Sequence, residues 1–124
     1  MAMIEASEQR EPSRAAQVAE LGALTMNSER EGDVHTICVL GELDLATADS
    51  LQRELERVEA TDADSIILDL SGLRFMDSTG VRLMLRAHAR SRADSDRLTM
   101  LRGPASVQRV LDLTGVADLL PFSD

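Results

Sequence analysis

The stretch SIILDLSGLRFMDSTGVRLMLRAHARSR, residues 65–92, changes its hydrophobic period halfway along. Ser65-Ile66-Ile67-Leu68-Asp69-Leu70 is a short apolar run of the kind a buried strand needs. Ser71 to Asp77, SGLRFMD, reads as a loop. From Ser78-Thr79-Gly80 to about Arg92 the spacing is helical. At roughly 100° per residue, Val81, Met84, Leu85 and His88 share one face, while Arg82, Arg86 and Arg90 form a stripe away from it. A strand that leads into a helix is half of a parallel crossover unit.

The rest of the chain repeats this alternation. Leu24-Thr25-Met26 opens a strand, Glu31-Gly32-Asp33 is a turn, and Val34 to Leu40 is rich in β-branched residues, so the three predict a hairpin. Gly41-Glu42-Leu43-Asp44 leaves that strand. Thr47 is placed to cap a helix whose buried face is Ala48, Leu51, Leu55 and Val58. Downstream, Arg97 to Leu101 reads as a strand. Gly103-Pro104 opens a third helix with proline at its first position. Its stripe is Val107, Val110 and Leu111, and Gly115 stops it. The segment ADLLPFSD adds a short edge strand, where Pro121 is tolerated. This order predicts an α/β fold: one domain, with a mixed sheet of about four or five strands joined by right-handed crossovers and helices packed against it. The domain runs from 24 to 124. Residues 1–23 are polar, small and weakly periodic, and read as a flexible N-terminal extension with some helical character from Ser13 to Leu21.

Composition narrows the function. The chain has 124 residues, 22 acids and 13 bases, every base an arginine, for a formal net charge of −9. Without lysine there is no P-loop lysine, Schiff-base lysine or receiver-type switch lysine. A single cysteine, Cys38, forms no internal disulfide. Cys38, His35 and His88 lack the close spacing of a metal site, so neither metal nor cofactor is expected. The acidic balance and scarce aromatics argue against nucleic acid as a partner. No apolar stretch approaches the roughly 20 residues that cross a bilayer, and no signal pattern opens the chain. The expected setting is the cytoplasm. The modest size and absence of heptads point to a monomer or weak dimer.

Charge is unevenly spread. Residues 1–73 carry 16 acids and 5 arginines, whereas residues 74–124 carry 6 acids and 8 arginines. No acid lies between Thr79 and Ala93. Leu83 falls on the arginine side of the helix and is expected to be exposed. That face either solubilises the helix or meets an acidic partner around an apolar spot.

Met76-Asp77-Ser78-Thr79-Gly80 stands at the loop-to-helix junction. From the pattern alone it is a helix cap, since aspartate, serine and threonine oxygens accept from free helix N–H groups. It also presents a hydroxyl where a phosphoryl group is favoured by the helix dipole. It is a poor hydrolase site. A nucleophile elbow wants glycine where Met76 stands, and His88 lies ten residues on, roughly 15 Å along the helix axis. His35 has no evident partner. No enzyme is expected.

Gly41-Glu42-Leu43-Asp44, Leu68-Asp69-Leu70-Ser71-Gly72-Leu73, Phe75-Met76-Asp77-Ser78-Thr79-Gly80 and Leu113-Thr114-Gly115-Val116 together resemble the STAS family, and within it the stand-alone bacterial anti-sigma-factor antagonists. The resemblance covers about residues 24–124. It implies a partner switch. The unphosphorylated form binds an anti-sigma factor with serine-kinase activity and so frees the sigma factor; phosphorylation of the motif serine ends that binding, and a PP2C-type phosphatase reverses it. Ser78 matches the phosphoacceptor, and Thr79 stands where many members have a second serine. Asp77, Thr79 and Gly80 match its frame. Glu42, Leu43 and Asp44 match the neighbouring docking loop. Met76, Arg82, Leu83 and Arg86 complete the expected partner-binding set by position. The same fold also serves as stressosome scaffold or as accessory subunit of lipid-transport ABC complexes, which is the alternative reading.

Overall fold

A computed structural model describes residues 23–123. The strands are β1 (Leu24–Glu31), β2 (Val34–Leu43), β3 (Ser65–Met76), β4 (Leu98–Leu101) and β5 (Phe122–Ser123); the helices are α1 (Ala48–Glu59), α2 (Ser78–Asp94) and α3 (Ala105–Leu113), with a 3₁₀ turn at Ala117–Leu119. The five strands lie in chain order in one sheet. The β1–β2 pair is antiparallel and the other pairs are parallel. Because each crossover steps the same way, right-handedness puts all three helices on one face. Burial agrees. Ile37, Val39, Ile66, Leu68, Leu70 and Met100 are in the core, while their neighbours Thr36, Cys38, Ile67, Asp69 and Thr99 are only partly covered. Among the described residues no helix is long and apolar enough to cross a membrane. The expected extension, residues 1–23, lies outside the described residues except for Ala23.

The central strands are longer than their sequence suggests. β2 continues through Gly41-Glu42-Leu43, and the expected loop 71–77 is mostly strand, with Gly41 opposite Leu73, Glu42 opposite Phe75 and Leu43 opposite Met76. Two register shifts, between Cys38 and Leu40 and between Gly41 and Glu42, each put one extra residue into β3. The shifts break the apolar alternation, and that is why the segment reads as a loop. Gly72 permits the first: a Cβ there would sit 2.9 Å from Leu40 Cγ and 3.0 Å from the Val39 carbonyl oxygen. The Asp69 carboxylate accepts from the Ser71 N–H at 2.9 Å and closes the same bulge.

The helices form where expected, with three differences. Pro104 is the N-cap of α3 rather than its first helical residue, and its carbonyl accepts from Val107 and Gln108. Thr47 occupies the N-cap position of α1 but makes no side-chain cap. The third difference is the buried face of α2, which is Gly80, Val81, Leu83, Met84 and Ala87. Leu83 is only 1 % exposed, which corrects the expectation of an exposed leucine; Leu85 and His88 are half-buried on its flank. Gly80, Leu83, Met84 and Ala87 form an i, i+3, i+4, i+7 set. Gly80 and Ala87 are too small to register as apolar, yet they let the helix approach the sheet. α3 ends as anticipated at Gly115, which has φ +76°. There the Val116 N–H reaches the Leu111 carbonyl and the Gly115 N–H reaches that of Asp112, both at 3.1 Å.

Candidate functional site

β2 and β3 end side by side, and each leads into a helix. The Asp77 N–H donates to the Leu43 carbonyl at 3.2 Å, so the two exits are tied. Asp77 turns the chain into α2: as N-cap it accepts from the Thr79 N–H at 2.9 Å. Ser78 is the first residue of α2 and is exposed, whereas Thr79 is half-buried. The Ser78 hydroxyl makes no hydrogen bond among the described residues.

The adjoining loop, residues 44–47, is built on the Asp44 carboxylate, which accepts from the N–H groups of Ala46 at 3.0 Å and Thr47 at 3.2 Å. That occupation explains the missing cap on α1. The Thr47 hydroxyl points back instead, donating to the Glu42 carbonyl at 2.8 Å and accepting from the Asp44 N–H at 3.0 Å. The Glu42 N–H in turn donates to the Ala23 carbonyl at 3.0 Å, and its carboxylate lies 3.9 Å from Arg74.

The expected partner-binding residues thus divide. Glu42, Asp44, Asp77 and Thr79 are half-buried, and Arg82 and Arg86 are exposed. Leu43, Met76, Gly80 and Leu83 are in the core. Their part is support: a Cβ on Gly80 would lie 2.5 Å from Met76 Cγ and 2.9 Å from Leu43 Cδ2, so the ends of β2, β3 and α2 meet there without spare room. Strand alternation explains why Leu43 and Met76, directly paired, both face inward. Sequence reasoning missed two surface residues at this end. Leu45 is 80 % exposed in the loop and Phe75 is 48 % exposed on β3. Phe75 was hidden by being read in a loop; Leu45 was hidden because no period applies to a turn.

Other clusters do not compete chemically. His35 does have a partner, which corrects the reading that it had none: its Nε2 lies 2.6 Å from the Ser28 hydroxyl. However, His35 Nδ1 is buried without a partner, so no carboxylate orients the ring as a general base requires. The nearby Glu54 carboxyl is held below the usual carboxylate range, first by a hydrogen bond from Arg57; burial opposes this and Ser28 adds to it. Cys38 has its thiol pushed up by burial and by Asp69, which disfavours the nucleophilic thiolate. A cavity of about 320 Å³ opens at the opposite pole over Leu55, Ile66 and Leu98. The Arg90 guanidinium holds Glu59 with two hydrogen bonds of 3.0 Å at its rim.

Comparison with known proteins identifies the family. The anti-sigma F factor antagonist of Paenibacillus polymyxa is 26 % identical over 102 residues, covering 82 % of this chain and 87 % of that protein. The anti-sigma-B factor antagonist of Listeria monocytogenes is 28 % identical over 96 residues, covering 77 % and 84 %. Among solved structures, an anti-sigma factor antagonist from Mycobacterium paratuberculosis shares the fold with a TM-score of 0.76 at 22 % identity, over 85 % of this chain and 89 % of that one. The antagonist SpoIIAA in its unphosphorylated form shares it with a TM-score of 0.66 at 22 % identity, over 81 % and 89 %. The STAS domain family matches residues 25–124, from the first sheet strand through the last. The chain belongs to the STAS domain family.

Proposed function

We propose that this protein is an anti-sigma-factor antagonist worked by phosphorylation of Ser78. In the unmodified state the surface formed by the 42–47 loop, Phe75 and the first turns of α2 binds an anti-sigma factor that is also a serine kinase, and the sigma factor is freed. The kinase transfers a phosphoryl group to Ser78 and the complex parts. A PP2C-type phosphatase restores the hydroxyl. The setting is the cytoplasm. The observation that carries the reading is the exposed, unengaged Ser78 hydroxyl at the start of α2, at the same end of the sheet as exposed Leu45 and Phe75. The names of the relatives support the class of partner. Ser78 is favoured over Thr79 because Thr79 is half-buried and its amide is held by Asp77.

The physics of release is local. Phosphorylation adds roughly −1.5 to −2 charges and three strong acceptors. They arrive beside the Asp77 carboxylate and near the Asp44 loop, on a surface that docking would desolvate. A loss of roughly 3 kcal/mol, within what one unmatched buried charge costs, weakens binding somewhat over a hundredfold. The helix itself should persist, since negative charge is favourable at its N-terminus.

The test is mass spectrometry after incubation with ATP and a kinase recovered by pull-down on the unmodified protein, using wild type, Ser78→Ala and Thr79→Ala. One phosphate is expected on wild type and Thr79→Ala, none on Ser78→Ala, with kinase binding lost once the phosphate is on. A bound kinase that modifies neither hydroxyl, or a pull-down yielding only transporter or scaffold subunits, would reject the switch.

A further inference from the structure

A phosphate on Ser78 meets a helix start whose donors are already engaged. The Thr79 N–H is held by the Asp77 carboxylate at 2.9 Å. The Gly80 and Val81 N–H groups both donate to the Asp77 carbonyl, at 3.1 and 3.3 Å. Only the amide of Ser78 itself is left, and the neighbouring N-cap carboxylate, Asp77, is like-signed. The helix start therefore offers the phosphate few open amides, and a nearby cation adds to what the helix dipole supplies.

Four arginines lie on α2 between Gly80 and Asp94, and they are not equivalent. Arg90 is committed to Glu59 at 3.0 Å, and Arg92 stands 3.8 Å from Asp96. Arg82 and Arg86 are exposed and have no acidic partner among the described residues. Arg86 is eight residues beyond Ser78, roughly 12 Å up the axis. Arg82 is four residues beyond, so its Cβ is about 5–6 Å from that of Ser78 on the same side of the helix. Helix side chains lean towards the N-terminus, which puts Ser78 within reach of the Arg82 guanidinium. An acid N-terminal to a base at this spacing is also the favourable order.

We infer that Arg82 is the intramolecular partner of the phosphate on Ser78. The inference rests on Ser78 being the modified residue. It assigns Arg82 a positioning role: it binds the phosphate against the first turn of α2, offsets the repulsion from Asp77, and is thereby withdrawn from the docking surface in the modified state. Charge-assisted pairing of guanidinium with phosphate is the chemistry.

The experiment uses the full chain with phosphoserine installed at 78 by encoded incorporation, so that no kinase is involved, and follows the phosphate by ³¹P NMR across pH at low salt. The second pKa of the phosphate in the wild type is expected to lie about 0.3 below that in Arg82→Ala. Arg82→Lys should keep most of that difference, and Arg86→Ala should titrate like wild type. Coincident curves for wild type and Arg82→Ala, an equal effect from Arg86→Ala, or loss of the effect in Arg82→Lys would each overturn the assignment. A failed titration would condemn the Arg82 pairing alone. A kinase that never modifies Ser78 would condemn the switch.

Discussion

Gly80 and Leu83 decide how close α2 sits to the sheet. Alanine is the better helix former by about 1 kcal/mol, yet Gly80→Ala is expected to destabilise the protein by roughly 1–3 kcal/mol, because its methyl has nowhere to go between Met76 and Leu43. Chemical denaturation gives the answer directly. Leu83→Ala should cost roughly 2–5 kcal/mol as a core truncation, whereas Arg82→Ala, on the exposed face beside it, should stay within about 0.5 kcal/mol. An exposed Leu83 would instead make the two variants alike. At this scale the sequence is legible in part. The Asp77 cap could be read from its side chain alone, because a cap is a local bond. Leu83 could not, because the face that carries it inward is completed by the small residues Gly80 and Ala87, which do not register as apolar.

Elements show the same division. All five strands and three helices are foreshadowed by period and turn chemistry, including the glycine stop of α3. What stayed hidden is the pairing of β2 with β3 beyond Leu40, since a bulged strand has no alternation to read and its partner lies some thirty residues away. The candidate site inherits that blind spot: its serine and acidic frame were visible, while Leu45 and Phe75 were not. The Thr47 hydroxyl shares with the Asp44 carboxylate in holding the 42–47 loop. Thr47→Val keeps the shape but leaves the Glu42 carbonyl and the Asp44 amide without their partner, at a cost of roughly 1–3 kcal/mol. Hydrogen exchange at the Asp44 amide should rise well before that of the core of β2. If Asp44 remains as protected as in wild type, the loop is held by other means.

At the scale of the whole molecule, ion pairs and a hydrogen bond run along the β1 edge of the sheet. Arg30 on β1 reaches Asp62 beyond α1 at 2.7 Å, and Glu54 on α1 is bonded to Arg57 and to Ser28 on β1. Asp62, like Glu54, has its carboxyl lowered, chiefly by the hydrogen bond from Arg30. A carboxyl whose folded pKa is depressed stabilises the fold above its ordinary pKa and loses that contribution as pH falls through the folded value. The share of stability that these two carboxylates supply should therefore be full above about pH 5 and fall away below it, most of it from the less exposed Glu54, since solvent screens Asp62. Glu54→Gln should flatten part of that decline, read as the thermal midpoint against pH. An unchanged acid profile in this variant would mean that the β1 edge is held by its ladder alone.

The two bulges also set a rule for insertions and deletions. From Ile37 to Leu43 the chain advances six residues on β2, while β3 advances eight from Leu68 to Met76. Each bulge takes up its own extra residue without turning the strand over: Leu70, Leu73 and Met76, spaced by three, all face the core. Losing one residue at either bulge would straighten β3 locally and leave Met76 and the turn to Ser78 facing as they do. The same loss from the regular ladder between Ile66 and Asp69 would turn every earlier or later side chain over. Single-residue deletions should therefore be better tolerated at the bulges than in that ladder.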